Sequence, residues 1–120
     1  MKIAIPTDES SEESEVCYSY GRAPYFMIYD TDTRVASFME NTAKSASGGA
    51  GISAAQAILD SGATVVITPR CGENAYEVLK KGAKVYKSFD GSAIKNVQAF
   101  IRGELIELST VHAGFHGAVK

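Results

Sequence analysis

Ile52-Ser53-Ala54-Ala55-Gln56-Ala57-Ile58-Leu59, closed by Gly62, runs into Thr64-Val65-Val66-Ile67-Thr68 and then into Glu73-Asn74-Ala75-Tyr76-Glu77-Val78-Leu79, closed by Gly82. The hydrophobic period changes twice here. Ile52, Ala55, Ile58 and Leu59 share one face of a helix that the glycine ends. Val65-Val66-Ile67 is an unbroken β-branched run, which suits a strand covered on both sides. Ala75, Val78 and Leu79 return to one helical face, so a second helix is expected over 73–81. Repeated strand–helix units of this length make right-handed crossovers, hence a parallel sheet with helices on its faces.

Working outward, Val85-Tyr86 is a short strand, and Ser92 can cap a third helix with Val97, Phe100 and Ile101 inward and Gly103 just past its end. Residues 105–108 read as a last short strand or an extended tail. Upstream, Ile3-Ala4-Ile5 is a buried strand that opens at Pro6. Residues 25–30 and 35–40 are aromatic and β-favouring, and the turn Thr31-Asp32-Thr33-Arg34 pairs them antiparallel, which makes the sheet mixed. Residues 7–24 have no apolar period, and the acidic run 9–15 reads as a solvated, mobile loop rather than a metal site. One α/β domain over 1–108 and a flexible tail over 109–120 are expected, with no repeat or linker.

Charge narrows the function. Twelve Lys+Arg against fourteen Asp+Glu leave a net charge of −2, which offers no field for nucleic acid or an anionic membrane. No apolar run approaches the ~18–20 residues of a membrane span. The first residues are interrupted too soon by Pro6 for a signal peptide, so a cytoplasmic protein is expected. Two cysteines are too few for a disulfide scaffold.

In a parallel sheet, ligands collect at the carboxyl ends of the strands. Four segments should reach that edge if the first, third, fourth and fifth strands run the same way: Thr7-Asp8 with its long loop, 45–51, 69–73 and 88–92. Cys17 and Cys71 fall on two of them, 54 positions apart (71 − 17) yet able to converge. Cys71 follows Arg70 and is placed in the first turn of the second helix, where a cation and the helix end would favour thiolate. It reads equally as a small buried residue. Cys17 is a ligand or a passive thiol, and a transient Cys17–Cys71 disulfide is a third alternative.

Gly48-Gly49-Ala50-Gly51 lets backbone N–H groups approach an anion at a helix start. Gly49–Ala54 also matches a loose dinucleotide fingerprint, though the next strand ends in Thr68-Pro69-Arg70 rather than an acid. His112 and His116 are four apart in a glycine-rich tail that reads as frayed rather than as a preformed site, though a flexible tail can still close over a metal. Asp8 and Glu73 are the only acids well placed for acid–base or nuclease chemistry, and they do not make a catalytic set.

The segments 21–26 (Gly-Arg-Ala-Pro-Tyr-Phe), 45–51 (Ser-Ala-Ser-Gly-Gly-Ala-Gly) and 72–79 (Gly-Glu-Asn-Ala-Tyr-Glu-Val-Leu), with the opening Met1-Lys2-Ile3-Ala4-Ile5-Pro6, resemble the dinitrogenase iron–molybdenum cofactor-binding family over nearly the whole chain. That resemblance implies a ribonuclease H-like, three-layer α/β/α fold with strand order 3-2-1-4-5 and the second strand antiparallel. It implies a non-enzymatic carrier for an anionic metal–sulfur cluster (iron–molybdenum cofactor-like, iron–sulfur or molybdenum–copper sulfide), with donor or acceptor proteins as partners. Nitrogenase-associated members often carry His-Phe-Gly before the second strand, where this chain has Ser19-Tyr20-Gly21.

The expected cofactor site is therefore Cys17, Arg22, Gly48, Gly49, Gly51, Arg70, Cys71 and Gly72, with Cys17, Cys71, His112 and His116 as candidate metal ligands. The alternatives are a nucleotide- or small-anion-binding regulatory module and a metal-dependent nuclease.

Overall fold

The computed structural model describes residues 1–42 and 49–108. Five strands, β1 (Lys2–Thr7), β2 (Tyr25–Asp30), β3 (Val35–Glu40), β4 (Val65–Thr68) and β5 (Lys84–Lys87), form one sheet of order β3-β2-β1-β4-β5. β2 pairs antiparallel with both β1 and β3, while β1, β4 and β5 pair parallel. The mixed α/β sheet and the 3-2-1-4-5 order are as expected. All strands but β2 therefore end at one edge, and β2 begins there, Thr7 standing opposite Tyr25 and Tyr25 opposite Glu40.

Strand alternation divides the core in two. Ala4, Phe26, Ile28, Val66 and Val85 face α1 (Ala50–Asp60) and α2 (Glu73–Leu79), which contribute Ala54, Ala55, Ile58, Ala75 and Leu79. Ile3, Ile5, Met27, Tyr29, Val65 and Ile67 face α3 (Ala93–Ile101) with its Ala93 and Val97. Side chains of successive residues leave a strand on opposite faces, so Ile3-Ala4-Ile5 of β1 and Val65-Val66-Ile67 of β4, apolar on both faces, need helices on both sides. Fully burying each Ile, Val or Phe contributes roughly 1.5–3 kcal/mol, which makes these two layers the main stabilising term.

Helix boundaries follow local chemistry. Ser92 caps α3, its hydroxyl accepting from Lys95 N at 3.3 Å, and Gly103 takes φ +76° just beyond the C-cap Arg102. α1 starts two residues before Ile52, because Gly49 adopts the left-handed conformation (φ +71°) that turns the chain into it. Residues 105–108 make a single bridge, Tyr86 opposite Glu107, with Lys87 N donating to Ile106 O and Leu108 N to Val85 O. That segment runs antiparallel to β5, so at Leu108 the chain is heading away from the carboxyl edge.

The loop after β1 differs from its sequence reading. Ser14 is buried, and its hydroxyl accepts from Asp8 N and Glu9 N and donates to Glu15 O. Glu12 O and Ser14 O accept the first free N–H groups of α3, from Ile94 and Ala93. Thr7 bridges Val16, and Glu15 bridges Ser92. The acidic run is thus a folded cap on α3 rather than a mobile loop, because the helix end needs acceptors that the aperiodic segment supplies. Buried Asn41 acts similarly at the edge, its Nδ2 donating to Gly21 O (3.1 Å) and Ala23 O (2.9 Å). Asn41→Ala strands those carbonyls and is expected to cost about 1–3 kcal/mol, read as a lower urea midpoint at unchanged slope.

Candidate functional site

At the carboxyl edge, a 3₁₀ turn (Tyr20–Arg22), the start of α1 and the β4–α2 loop surround a cleft of about 460 Å³. Its lining is Tyr18, Ser19, Tyr20, Gly21, Gly49, Ala50, Gly51, Ile52, Arg70, Gly72, Asn74 and Ala75. Small residues allow these three segments to meet. A Cβ on Gly21 would lie 3.1 Å from Gly51 N and 3.2 Å from Gly51 Cα, and one on Gly51 would touch Ala75 Cβ at 3.5 Å. The turn therefore rests directly on the first turn of α1, and α1 rests on α2.

Tyr20 anchors the turn. It is buried, packs on Phe26 with ring centroids 5.7 Å apart, and points its hydroxyl toward Gly51 O at 3.5 Å. Burial, with Cys71 close by, holds that hydroxyl protonated well above the usual tyrosine range. α1 brings eleven residues of helix dipole to the cleft, without an acid in its first turn and without a side-chain cap. Among the described residues no side chain caps its leading N–H groups, the groups that can meet an anion at a helix start. Arg70 supplies the cation: its Nη1 donates to Tyr18 Oη at 2.8 Å, and its guanidinium lies 5.4 Å from the Tyr18 ring centre. Among the described residues that line the cleft, none is acidic.

Gly49, Gly51, Arg70 and Gly72, named from sequence, line this cleft together; Cys17, Cys71 and Arg22 are not among the lining residues. Cys71 precedes α2 rather than opening it, since Gly72 is the N-cap. It is 2% exposed in the apolar layer beneath α1 and α2, and burial pushes its thiol up to about 11. The expected lowering by Arg70 and the helix end is overturned, because desolvation governs the buried sulfur.

Cys17 is half-buried against the same layer, its Sγ 3.5 Å from Ser19 O. Burial raises its pKa, with the Ser19 backbone opposing and the Asp8 carboxylate adding to the rise. Arg22 is exposed at the end of the turn. Gly48, His112 and His116 lie outside the described residues. Among the described residues no group of three His, Cys, Asp or Glu gathers as a metal site, and no helix is long and apolar enough to cross a membrane.

Sequence reasoning missed Tyr18, Tyr20 and Asn74. Tyr20 carried a signal, as the aromatic residue preceding a glycine where the resembled family often has His-Phe-Gly. Tyr18 carried none, because only the tertiary fold sets it against Arg70.

These features define a class: an α/β protein of strand order 3-2-1-4-5 with a glycine-walled, basic cleft at its carboxyl edge. The chain belongs to the dinitrogenase iron–molybdenum cofactor family, whose sequence model matches residues 1–103. An uncharacterized protein of Methanocaldococcus jannaschii is 31% identical over 109 residues, 88% of this chain and 89% of that one. The structure is similar to the apo form of the orange protein from Desulfovibrio gigas (TM-score 0.87, 31% identity, 90% of this chain and 92% of that one). It is also similar to a Thermotoga protein of the DUF35 family (TM-score 0.82, 34% identity, 95% and 98% covered).

The thiol geometry has a pH consequence. An unfolded thiol begins to ionise near 9.0, whereas folded Cys71 holds its proton to about 11. Across that window the folded state binds the extra proton, so the stabilising contribution is complete below pH 9.0 and lost as pH rises through about 11. Urea unfolding at stepped alkaline pH should show wild type losing stability more steeply than Cys71→Ala.

Proposed function

We propose that this protein binds an anionic metal–sulfur cluster in the carboxyl-edge cleft and acts as a carrier rather than an enzyme. The observation that carries the reading is the lining itself: among the described residues that form it, it holds a guanidinium and a helix start that no side chain caps, and no acidic side chain. Arg70, the Gly49–Gly51 backbone and the Asn74 amide would hold the cargo by charge and hydrogen bonds. The cleft's volume lies within the roughly 300–1,000 Å³ usual for small-ligand sites. Membership of the iron–molybdenum cofactor family and likeness to the orange protein support a cluster over other anions.

Neither thiol lines the cleft and both are held toward the protonated form, so coordination is secondary in this reading. That suits a carrier: cargo held by charge and hydrogen bonds is released to an acceptor protein without breaking metal–sulfur bonds to the chain. A nuclease would need a carboxylate cluster, and Asp8 and Glu73 are not among the residues lining the cleft.

Anaerobic equilibrium dialysis with tetrathiomolybdate, alone and with Cu(I), in which the protein-bound charge-transfer band is the excess absorption on the protein side, tests the reading. Wild type is expected to give a stoichiometric band, and Arg70→Gln to weaken it by about tenfold or more, the worth of one hydrogen bond to a charged group. A Cys17→Ser/Cys71→Ser variant should keep the band. No band from wild type overturns the proposal, and loss in the double serine variant overturns the charge-held version.

A further inference from the structure

A second cleft, of about 350 Å³, adjoins the first and has the opposite character. Glu15 and Asp90 line it, Arg70 does not, and Tyr18 is the residue common to both linings. Arg70 is exposed and close enough to Tyr18 for its guanidinium to lie 5.4 Å from the ring centre, yet among the described residues it makes no ion pair with a carboxylate. Its recorded partner is the Tyr18 hydroxyl, 52 positions away in sequence, at 2.8 Å. Tyr18 itself is 67% exposed, so packing does not explain its placement.

A phenol oxygen accepts from a guanidinium without supplying a countercharge. A carboxylate in the same place would neutralise the cation and compete with any anion. The tether also restrains a long side chain that would otherwise lose rotamer freedom when an anion binds. We propose that Tyr18 is the positioning residue of the anion site. Its hydroxyl holds the Arg70 guanidinium on the first cleft without neutralising it, and the residue stands where that cleft adjoins the second, which Glu15 and Asp90 line. This role rests on the cluster-binding reading for its purpose, but the tether itself is testable without any cargo.

In the cargo-free protein, the Arg70 side-chain Nε–H resonance of a Tyr18→Ala variant should shift when Glu15→Gln and Asp90→Asn are added. The same two changes should leave it in place when Tyr18 is present. An Arg70 resonance indifferent to the two acids in Tyr18→Ala overturns the proposal. With tetrathiomolybdate as probe, Tyr18→Ala should weaken binding severalfold, Tyr18→Phe less so, and adding Glu15→Gln/Asp90→Asn to Tyr18→Ala should restore most of the affinity. Weakening without rescue would mean that Tyr18 touches the anion itself, which also overturns the positioning role. Wild type that fails to bind the probe, with the cargo-free result intact, sinks the cluster reading and leaves the tether standing.

Discussion

The contact on which the rim depends is backbone against backbone, with Gly21 laid on the first turn of α1 at Gly51. A Cβ on Gly21 would press on the Gly51 backbone at 3.1–3.2 Å, so only a glycine lets the turn lie this close, whereas one on Gly51 would make ordinary contact with Ala75 at 3.5 Å. Van der Waals gain from such an approach is small per atom pair, but it sets the spacing of everything around it. It seats Tyr20 over the apolar layer, brings Tyr18 toward Arg70, and sets the start of α1 along the cleft between them. Asn41 holds the other side of the same turn through the Gly21 and Ala23 carbonyls. A polar clamp and a pair of glycines thus maintain a cleft that no single strong interaction would create.

Two chemistries competed for that cleft: soft coordination by cysteine, and hard electrostatics from a guanidinium and a helix end. Desolvation decides between them. A thiol beneath α1 and α2 sits where its ionised form is penalised, whereas a guanidinium on the rim keeps its charge at little cost. The sulfur atoms therefore belong first to the core, Cys71 as filler beneath the helices and Cys17 at its margin. The cation at the rim is free to attract, and a neutral phenol rather than a carboxylate orients it. The same division recurs at α3, where the carbonyls of a folded loop, rather than a ligand, satisfy the helix end.

The architecture was readable because it rests on period and punctuation. The run Val65-Val66-Ile67 calls for helices on both faces, the turn at 31–34 joins β2 to β3, and Ser92, Gly62, Gly82 and Gly103 mark helix ends with local chemistry. The glycines and Arg70 at the cleft were readable for the same reason, since each follows from a strand end or a helix start. The folded loop over 8–19 was not. Its order comes from Ser14 bonding to its own loop and from carbonyls that reach α3, some eighty positions along the chain.

Residue order alone thus decided the layers, the strand directions and the edge at which a ligand would gather, because hydrophobic periodicity and turn chemistry act over a few neighbouring positions. Tertiary structure alone decided which side chains face that edge. Burial of Cys71, tethering of Arg70 by Tyr18 and closure of Gly21 on Gly51 are contacts between segments distant in the chain. Solvent exposure, on which the charge of a thiol depends, exists only once those segments have packed.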